Sequence, residues 1–241
     1  MKDILYTVYT HTDCVDVWPV FFGQTEKYVC NNINKSLFVN KVDDQAKKII
    51  PDEYQVYIYN ESLTYTERVL SCIEKVDYDY ILFHHEDMFL YRPPDWDRIQ
   101  LYVNYIKKHN YDSVRLIKSG EMQGDKITED LVDIPESSMW NFVLQPTIIK
   151  TNKMIQLFKA SKKTNIWDFE IDVQRVCRDI GLKSCYADTS TNKIGGHYES
   201  EVYPYIATAV VKGKWNYSEY PEVLTKMSNT YNINMKKRGV R

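Results

Sequence analysis

Apolar and polar positions along the first ninety or so residues follow two alternating periods. Residues 3–9 are apolar and β-branched and predict a strand, and residues 16–28 predict a helix. A short buried strand is expected at 36–40 (SLFVN), then a weak helix at 43–50 stopped by Pro51. Residues 54–59 (YQVYIY) alternate as a strand. The next segment places Leu63, Thr66, Val69, Leu70, Ile73 and Val76 on one helical face, with Asn60 or Ser62 as its cap. The stretch 79–91 starts as a buried strand (YILF) and turns polar at His84. Strands joined by helices run parallel with right-handed crossovers. The expected fold is therefore α/β, a Rossmann-type, mostly parallel central sheet with helices on both faces. Ligands of such sheets bind at the carboxyl ends of the strands.

The second half is less regular. Pro93-Pro94-Asp95 opens a helix carrying Ile99, Tyr102, Val103 and Ile106, and 113–117 predicts a strand. Residues 118–138 are polar and are expected to loop out, and 139–149 (MWNFVLQPTII) reads as a strand broken at Pro146. Thr151 is expected to cap a helix bearing Met154, Ile155 and Phe158. A strong helix follows at 167–180, lined by Phe169, Val173, Val176, Cys177 and Ile180 and ended by Gly181. The expected organisation is one domain over 1–215, with a nucleotide-binding half at about 1–92 and an acceptor half at about 93–215. A helical tail covers 216–241, and no internal repeat or linker is visible.

Composition narrows the classes. Of 241 residues 44% are hydrophobic and 27% charged, which is that of an ordinary globular domain. A net charge of −2 leaves no basic excess for nucleic acid. Lys236, Lys237, Arg238 and Arg241 form a small basic tail, expected to be solvated or to rest on an anionic membrane surface. No secretory leader and no apolar run of about 18 residues is seen, so no membrane span is expected. The five cysteines follow no metal or redox spacing and read as reduced thiols of a cytoplasmic protein.

The usual nucleotide loops are missing. Strand one is followed by THTDCVDVW, without G-x-G-x-x-G, and the chain has no G-x-x-x-x-G-K-[ST], H-E-x-x-H or G-x-S-x-G. What is left is a fold that holds a nucleoside diphosphate through side chains and a metal. The segment IYNESLTYTERVLSCIEKVDYDYILFHHEDMFLY resembles a recurrent segment of GT-A glycosyltransferases, in which a hydrophobic strand ends in an acidic motif of the D-x-D type. The resemblance gives Asp87 the metal-binding carboxylate and sets Glu86 beside it, for a Mn²⁺ or Mg²⁺ ion that prefers hard oxygen ligands and bridges two phosphates. A strict D-x-D would place a second acid at 85 or 89, where His85 and Phe89 stand, and this leaves strict metal dependence open.

The segment WDFEIDVQRVCRDIGLKSCY is similar to the base-bearing helix of inverting GT-A enzymes. The similarity gives Glu170 the catalytic-base position, in the helix's first turn where the dipole favours the ionised form, with Asp168 the neighbouring candidate. By the same resemblance Thr10, His11, Thr12, Asp13 and Asn40 meet the nucleotide at the first strand ends. Arg68 reaches the base or a phosphate, and His197 after Gly195-Gly196 joins the metal or diphosphate. Lys212 and Lys214 offer cations to the diphosphate, Trp215 a stacking face, and Trp140, Gln145 and Trp167 contact donor sugar or acceptor. The implied activity is transfer of a sugar from a UDP-, GDP- or dTDP-linked donor to a hydroxyl of a glycan or glycolipid, with inversion. A nucleotidyltransferase that makes a nucleotide sugar and a non-catalytic carbohydrate-binding protein are the competing readings.

Overall fold

The computed structural model describes residues 3–118 and 124–241. Its first half follows the expected alternation: β1 (Ile4–Tyr9), α1 (Trp18–Tyr28), β2 (Asn34–Val39), α2 (Asp44–Lys47), β3 (Tyr54–Ile58), α3 (Tyr65–Ile73) and β4 (Tyr80–His85). The second half contributes α4 (Trp96–Lys108), β5 (Ser113–Arg115), β6 (Leu131–Ile134), β7 (Thr147–Lys150), α5 (Thr151–Ala160), α6 (Ile166–Asp179) and β8 (Ser184–Ala187). Two small hairpins, β9 (Lys193–Ile194) with β10 (His197–Tyr198) and β11 (Val210–Val211) with β12 (Lys214–Trp215), precede α7 (Pro221–Thr230) and α8 (Met235–Arg238).

One eight-stranded sheet runs in the order β3-β2-β1-β4-β7-β5-β8-β6. β7 is antiparallel to both β4 and β5, and β6 is antiparallel to β8; the other strands share one direction. The fold is thus α/β with a mostly parallel sheet. α1 and α4 pack on one face through Trp18, Phe21, Ile99 and Val103, and α3, α5 and α6 on the other through Val69, Leu157, Phe158 and Phe169. The tail packs into the first of these cores: Leu224 and Met227 join it, and Tyr231 closes on Gly23 of α1 and donates to Gln24 Oε1 at 2.7 Å.

Several boundaries differ from expectation for local reasons. α1 starts at Trp18 rather than at 16, because Asp16 is spent on an ion pair with Arg238. α3 is capped by Thr64, which forms a capping box with Glu67, while Asn60 instead accepts from the amide of Ser62 in a turn. Thr151 does not cap α5 through its side chain; its hydroxyl donates to the Tyr78 carbonyl. The polar stretch expected to loop out contains β6, and its residues 119–123 lie outside the described residues. β8, unanticipated, is four buried residues inserted parallel beside β5. Only 147–150 of the strand expected over 139–149 pairs in the sheet. The preceding backbone takes its partners from side chains: Arg115 Nη2 donates to the Trp140 carbonyl at 2.8 Å, Gln174 Nε2 donates to the Phe142 carbonyl, and Glu170 accepts from the Leu144 amide at 2.8 Å. Backbone groups in a buried segment must be paired somewhere, and here helix α6 replaces a neighbouring strand. Gly181 ends α6 as expected, with φ +57° and a hydrogen bond from Leu182 N to Cys177 O at 2.8 Å.

Candidate active site

β4 is buried until His84 and then leaves the sheet at its carboxyl end, so the next residues face a cleft of about 480 Å³. Its walls are His85–Met88, the irregular segment with Trp140 and Val143–Gln145, the start of α6 (Ile166, Trp167, Glu170), the β9–β10 turn with Gly196 and His197, and Ala207, Thr208 and Val210. Of the residues singled out from sequence, Glu86, Asp87, Trp140, Gln145, Trp167, Glu170 and His197 meet here. A cavity of about 580 Å³ at the opposite end of β4, lined by Tyr78, Lys107 and Lys150 among others, contains none of them.

Of the two histidines before the acids, His84 is buried in the core and His85 lines the cleft. His84 stacks on Tyr6 and its Nε2 lies 2.7 Å from the Tyr203 hydroxyl; burial pulls its pKa down to about 3. His85 sits 3.0 Å from the Tyr65 hydroxyl and is pulled down to about 4, also by burial. Both are neutral at physiological pH. Glu86 and Asp87 follow, half-buried along the cleft. The Cys14 thiol and the Thr10 hydroxyl beside Glu86, and the Val210 amide beside Asp87, favour the ionised carboxyls. Desolvation pushes both carboxyls up, and for Asp87 the charge of Glu86 pushes further. Two adjacent desolvated carboxyls hold their negative charge best when a cation joins them.

Glu170 lines the same cleft. It lies in the second turn of α6, not the first; Asn165 caps the helix and Asp168 occupies the first turn. Its carboxyl therefore gains less from the helix dipole than expected. Burial pushes its pKa up, and the Leu144 amide and the more distant Arg115 pull against that. Asp168 is exposed and bonds Asn165 instead of lining the cleft. Trp167 and Trp140 are 64% and 49% exposed and leave two large ring surfaces open at the cleft. Gln145 Nε2 and His197 Nδ1 are 3.4 Å apart, and Gln145 Oε1 is buried without a partner. Burial lowers the pKa of His197, which favours the neutral, ligating form.

The remaining candidates form a second group at the carboxyl ends of β1–β3. Asn40 accepts from the Thr12 amide and donates to the Thr12 hydroxyl, both at 2.9 Å, and also donates to Glu61. His11 lies 3.3 Å from Glu61 and 3.4 Å from Asp13. Thr10 accepts from Trp18 Nε1 at 2.7 Å. Arg68 is turned inward on its own loop: it donates to the carbonyls of Leu63 and Glu61 and lies 5.7 Å from the centre of the Tyr59 ring. Lys212 and Lys214 are exposed on the β11–β12 turn. Trp215, read from sequence as a stacking face, is buried in the core beside Phe89.

No protein-family model matches the chain, and no curated protein sequence does. Solved structures do. Residues 1–349 of TarS from S. aureus align with a TM-score of 0.52 at 13% identity, over 98% of this chain and 66% of that one. A longer TarS structure aligns with the same score and identity over 95% of this chain and 39% of its own length. The fold is GT-A-like. A 4-diphosphocytidyl-2C-methyl-D-erythritol synthase from Anaerococcus prevotii is also similar, with a TM-score of 0.49 at 12% identity over 95% of this chain and 96% of that one. The chain thus spans just under two thirds of the shorter TarS structure. Identities this low speak for the fold alone.

Whether this cleft suits a divalent cation is decided by its donor set. Among the described residues no three His, Cys, Asp or Glu side chains converge on one point. Mg²⁺-type ions are commonly held by one or two carboxylates, with phosphates and water completing the shell. Asp87 and Glu86, desolvated side by side in the cleft that also takes His197, fit such a shared site. They do not fit an all-protein cage.

Sequence reading missed three polar groups that lie outside the cleft lining. Arg115, at the end of β5, is 2% exposed, has no ion-pair partner among the described residues, and holds the Trp140 carbonyl with Nη2 while Nη1 is unpaired. Tyr205 is likewise buried with an unpaired hydroxyl. Arg238 reaches from the tail to Asp16 and the Asp13 carbonyl. An arginine in an apolar strand (SVRLI) was the available signal for the first. The other two depend on chain segments far apart in sequence. No helix among the described residues is long and apolar enough to cross a membrane.

Proposed function

We propose that this chain is a glycosyltransferase that uses a nucleoside-diphosphate sugar and inverts the anomeric centre. The observation that carries the reading is the meeting of two carboxylate sites in the lining of one cleft: Glu86-Asp87 at the end of β4 and Glu170 on α6, with the exposed Trp140 and Trp167 beside them. The donor is a UDP-, GDP- or dTDP-linked sugar, its nucleoside beside Thr10–Asp13 and Asn40 and its diphosphate toward Asp87. The acceptor is a hydroxyl of a glycan or glycolipid, its sugar faces stacked on the two tryptophans.

Asp87, with Glu86 and His197 near it, would hold Mn²⁺ or Mg²⁺ together with the diphosphate. Such an ion, when bound, offsets the negative charge that grows on the leaving group. Glu170 takes the proton of the acceptor hydroxyl as that oxygen bonds to the anomeric carbon. The bond from that carbon to the diphosphate breaks on the opposite face, and the nucleoside diphosphate leaves. The Leu144 amide fixes one Glu170 oxygen at 2.8 Å, so the other is the one available to the proton.

Calorimetric titration with UDP-, GDP- and dTDP-sugars in the presence of Mn²⁺ tests the reading. One nucleotide class is expected to saturate, and Asp87→Asn to weaken it at least tenfold. Binding of none of them ends the proposal.

A further inference from the structure

Residues 140–146 lie outside any strand, yet Trp140, Val143, Leu144 and Gln145 of this stretch line the cleft. Its backbone is latched by side chains at alternate residues. Arg115 Nη2 donates to the Trp140 carbonyl at 2.8 Å, Gln174 Nε2 donates to the Phe142 carbonyl, and the Leu144 amide donates to Glu170 at 2.8 Å. A spacing of two is that of an extended chain, so the three side chains stand where a neighbouring strand would. Two of the latches come from one helix, α6. The third, Arg115, comes from β5 and holds the end where Trp140 stands. The Trp140 amide bonds locally, to Ser138 Oγ at 3.0 Å, so Arg115 is what ties that backbone to the sheet.

An arginine in that place works against stability. It is 2% exposed, it has no ion-pair partner among the described residues, and its Nη1 is unpaired. Thr147, directly opposite on β7, has a buried hydroxyl that is unpaired as well. A guanidinium keeps its charge inside proteins, and a buried charge without a counter-ion is unfavourable. An apolar side chain of similar length would fill the same space without that penalty. What the guanidinium alone adds is a rigid planar donor that reaches the Trp140 carbonyl. The Trp140 ring is half out of the protein, so little packing fixes it and its backbone anchor decides where its face is presented.

Resting on the glycosyltransferase reading, we propose that Arg115 is a positioning residue for the acceptor, pinning the Trp140 backbone so that the ring stands at the cleft as a fixed stacking face for an acceptor sugar. A platform already held in place loses little freedom when a sugar covers it, so the benefit falls on acceptor affinity and not on the donor. The fold is less stable for carrying the unpaired charge. An arginine kept only for architecture gives the opposite sign: its loss would lower the melting temperature.

The test is fluorine NMR of the full chain labelled with 5-fluorotryptophan, for the unaltered chain, Arg115→Met and Arg115→Lys, with Trp140→Phe assigning the Trp140 line among those of the five tryptophans. In Arg115→Met the Trp140 line is expected to shift and narrow toward that of a free side chain, while the lines of Trp18, Trp96 and Trp215, which pack in the core, stay in place. Arg115→Lys, which keeps a donor, is expected to move the line back toward its original position. Arg115→Met is expected to melt no lower than the unaltered chain. In steady-state release of nucleoside diphosphate from nucleotide sugars with Mn²⁺ and a mixture of glycan acceptors, Arg115→Met and Trp140→Ala are each expected to raise the acceptor KM about fivefold or more and to leave the donor KM within about twofold. The double variant is expected to be no worse than Trp140→Ala, because Arg115 acts through Trp140. An unmoved Trp140 line, a lower melting temperature or failure to fold in Arg115→Met, or losses that multiply in the double variant, overturns the inference alone. An unaltered chain that turns over no donor overturns the glycosyltransferase reading and the acceptor role with it.

Discussion

Glu170→Gln separates chemistry from architecture at this site. The carboxyl has two jobs: one oxygen accepts from the Leu144 amide at 2.8 Å, and the other is assigned to the acceptor proton. Gln keeps an oxygen for the amide, and the bond from Gln174 Nε2 to the Glu170 backbone carbonyl at 2.9 Å does not depend on the side chain. The irregular segment that carries Trp140 therefore stays in place. What disappears is the basic site. A general base is worth about 10²–10⁴ in rate, or roughly 3–5 kcal/mol of transition-state stabilisation at about 1.4 kcal/mol per decade. The expected result is a kcat lower by that factor with KM within about threefold. Because burial raises the Glu170 pKa, its ionised form disfavours folding; the contribution is present below the unfolded-state pKa and lost as pH rises through the folded-state one. Glu170→Gln should thus melt no lower than the unaltered chain near neutral pH. The unaltered enzyme should also show an acid limb in kcat/KM lying above the ordinary carboxylate pKa of 4.5, and the variant should lack it. Steady-state release of nucleoside diphosphate and a thermal melt provide the measurements. A kcat within tenfold, or a loss matched by a lower melting temperature, refutes the assignment.

Glu86 and Asp87 both have raised folded-state pKa values, so the metal-free protein binds more protons folded than unfolded as pH climbs above the ordinary carboxylate range. Its melting temperature is expected to fall over that rise, and Asp87→Asn to flatten the slope; a slope unchanged by Asp87→Asn counts against it. Gly181 sits at φ +57°, where a side chain is strained, and Gly181→Ala is expected to cost about 1 kcal/mol, read as roughly 2–4 °C in a thermal melt. A Cβ on Gly23 would lie 2.2 Å from the Tyr231 ring, so Gly23→Ala must displace Tyr231 from Gln24. Limited proteolysis should then cut the segment after α7 faster, with a stability loss of about 1–3 kcal/mol.

The parallel half of the sheet was legible because each buried strand (Ile4–Tyr9, Tyr80–His85) is an apolar run and each helix shows its stripe. The Glu86-Asp87 step was legible because polar residues directly after a buried strand have few other places to go. Boundaries failed where side chains replaced expected partners. Residues 139–145 look like a strand by composition, yet Arg115, Gln174 and Glu170 supply their hydrogen bonds, and no local pattern encodes that. β8 is short enough to hide inside the end of a helix-rich stretch. Trp215 reads as a ligand platform beside two lysines, but the tail folds over it and buries it. Arg238 reads as one cation of a polar tail; only the fold brings it to Asp16, more than two hundred residues earlier in the chain.

Phosphorus NMR of the full chain tests the central claim most directly, following UDP-, GDP- and dTDP-sugars with Mn²⁺ and a mixture of glycan acceptors. The account predicts conversion of one donor class to its nucleoside diphosphate, abolished by Glu170→Gln and Asp87→Asn. Pyrophosphate formed from a nucleoside triphosphate and a sugar phosphate, or glycan binding with every nucleotide signal unchanged, would contradict it.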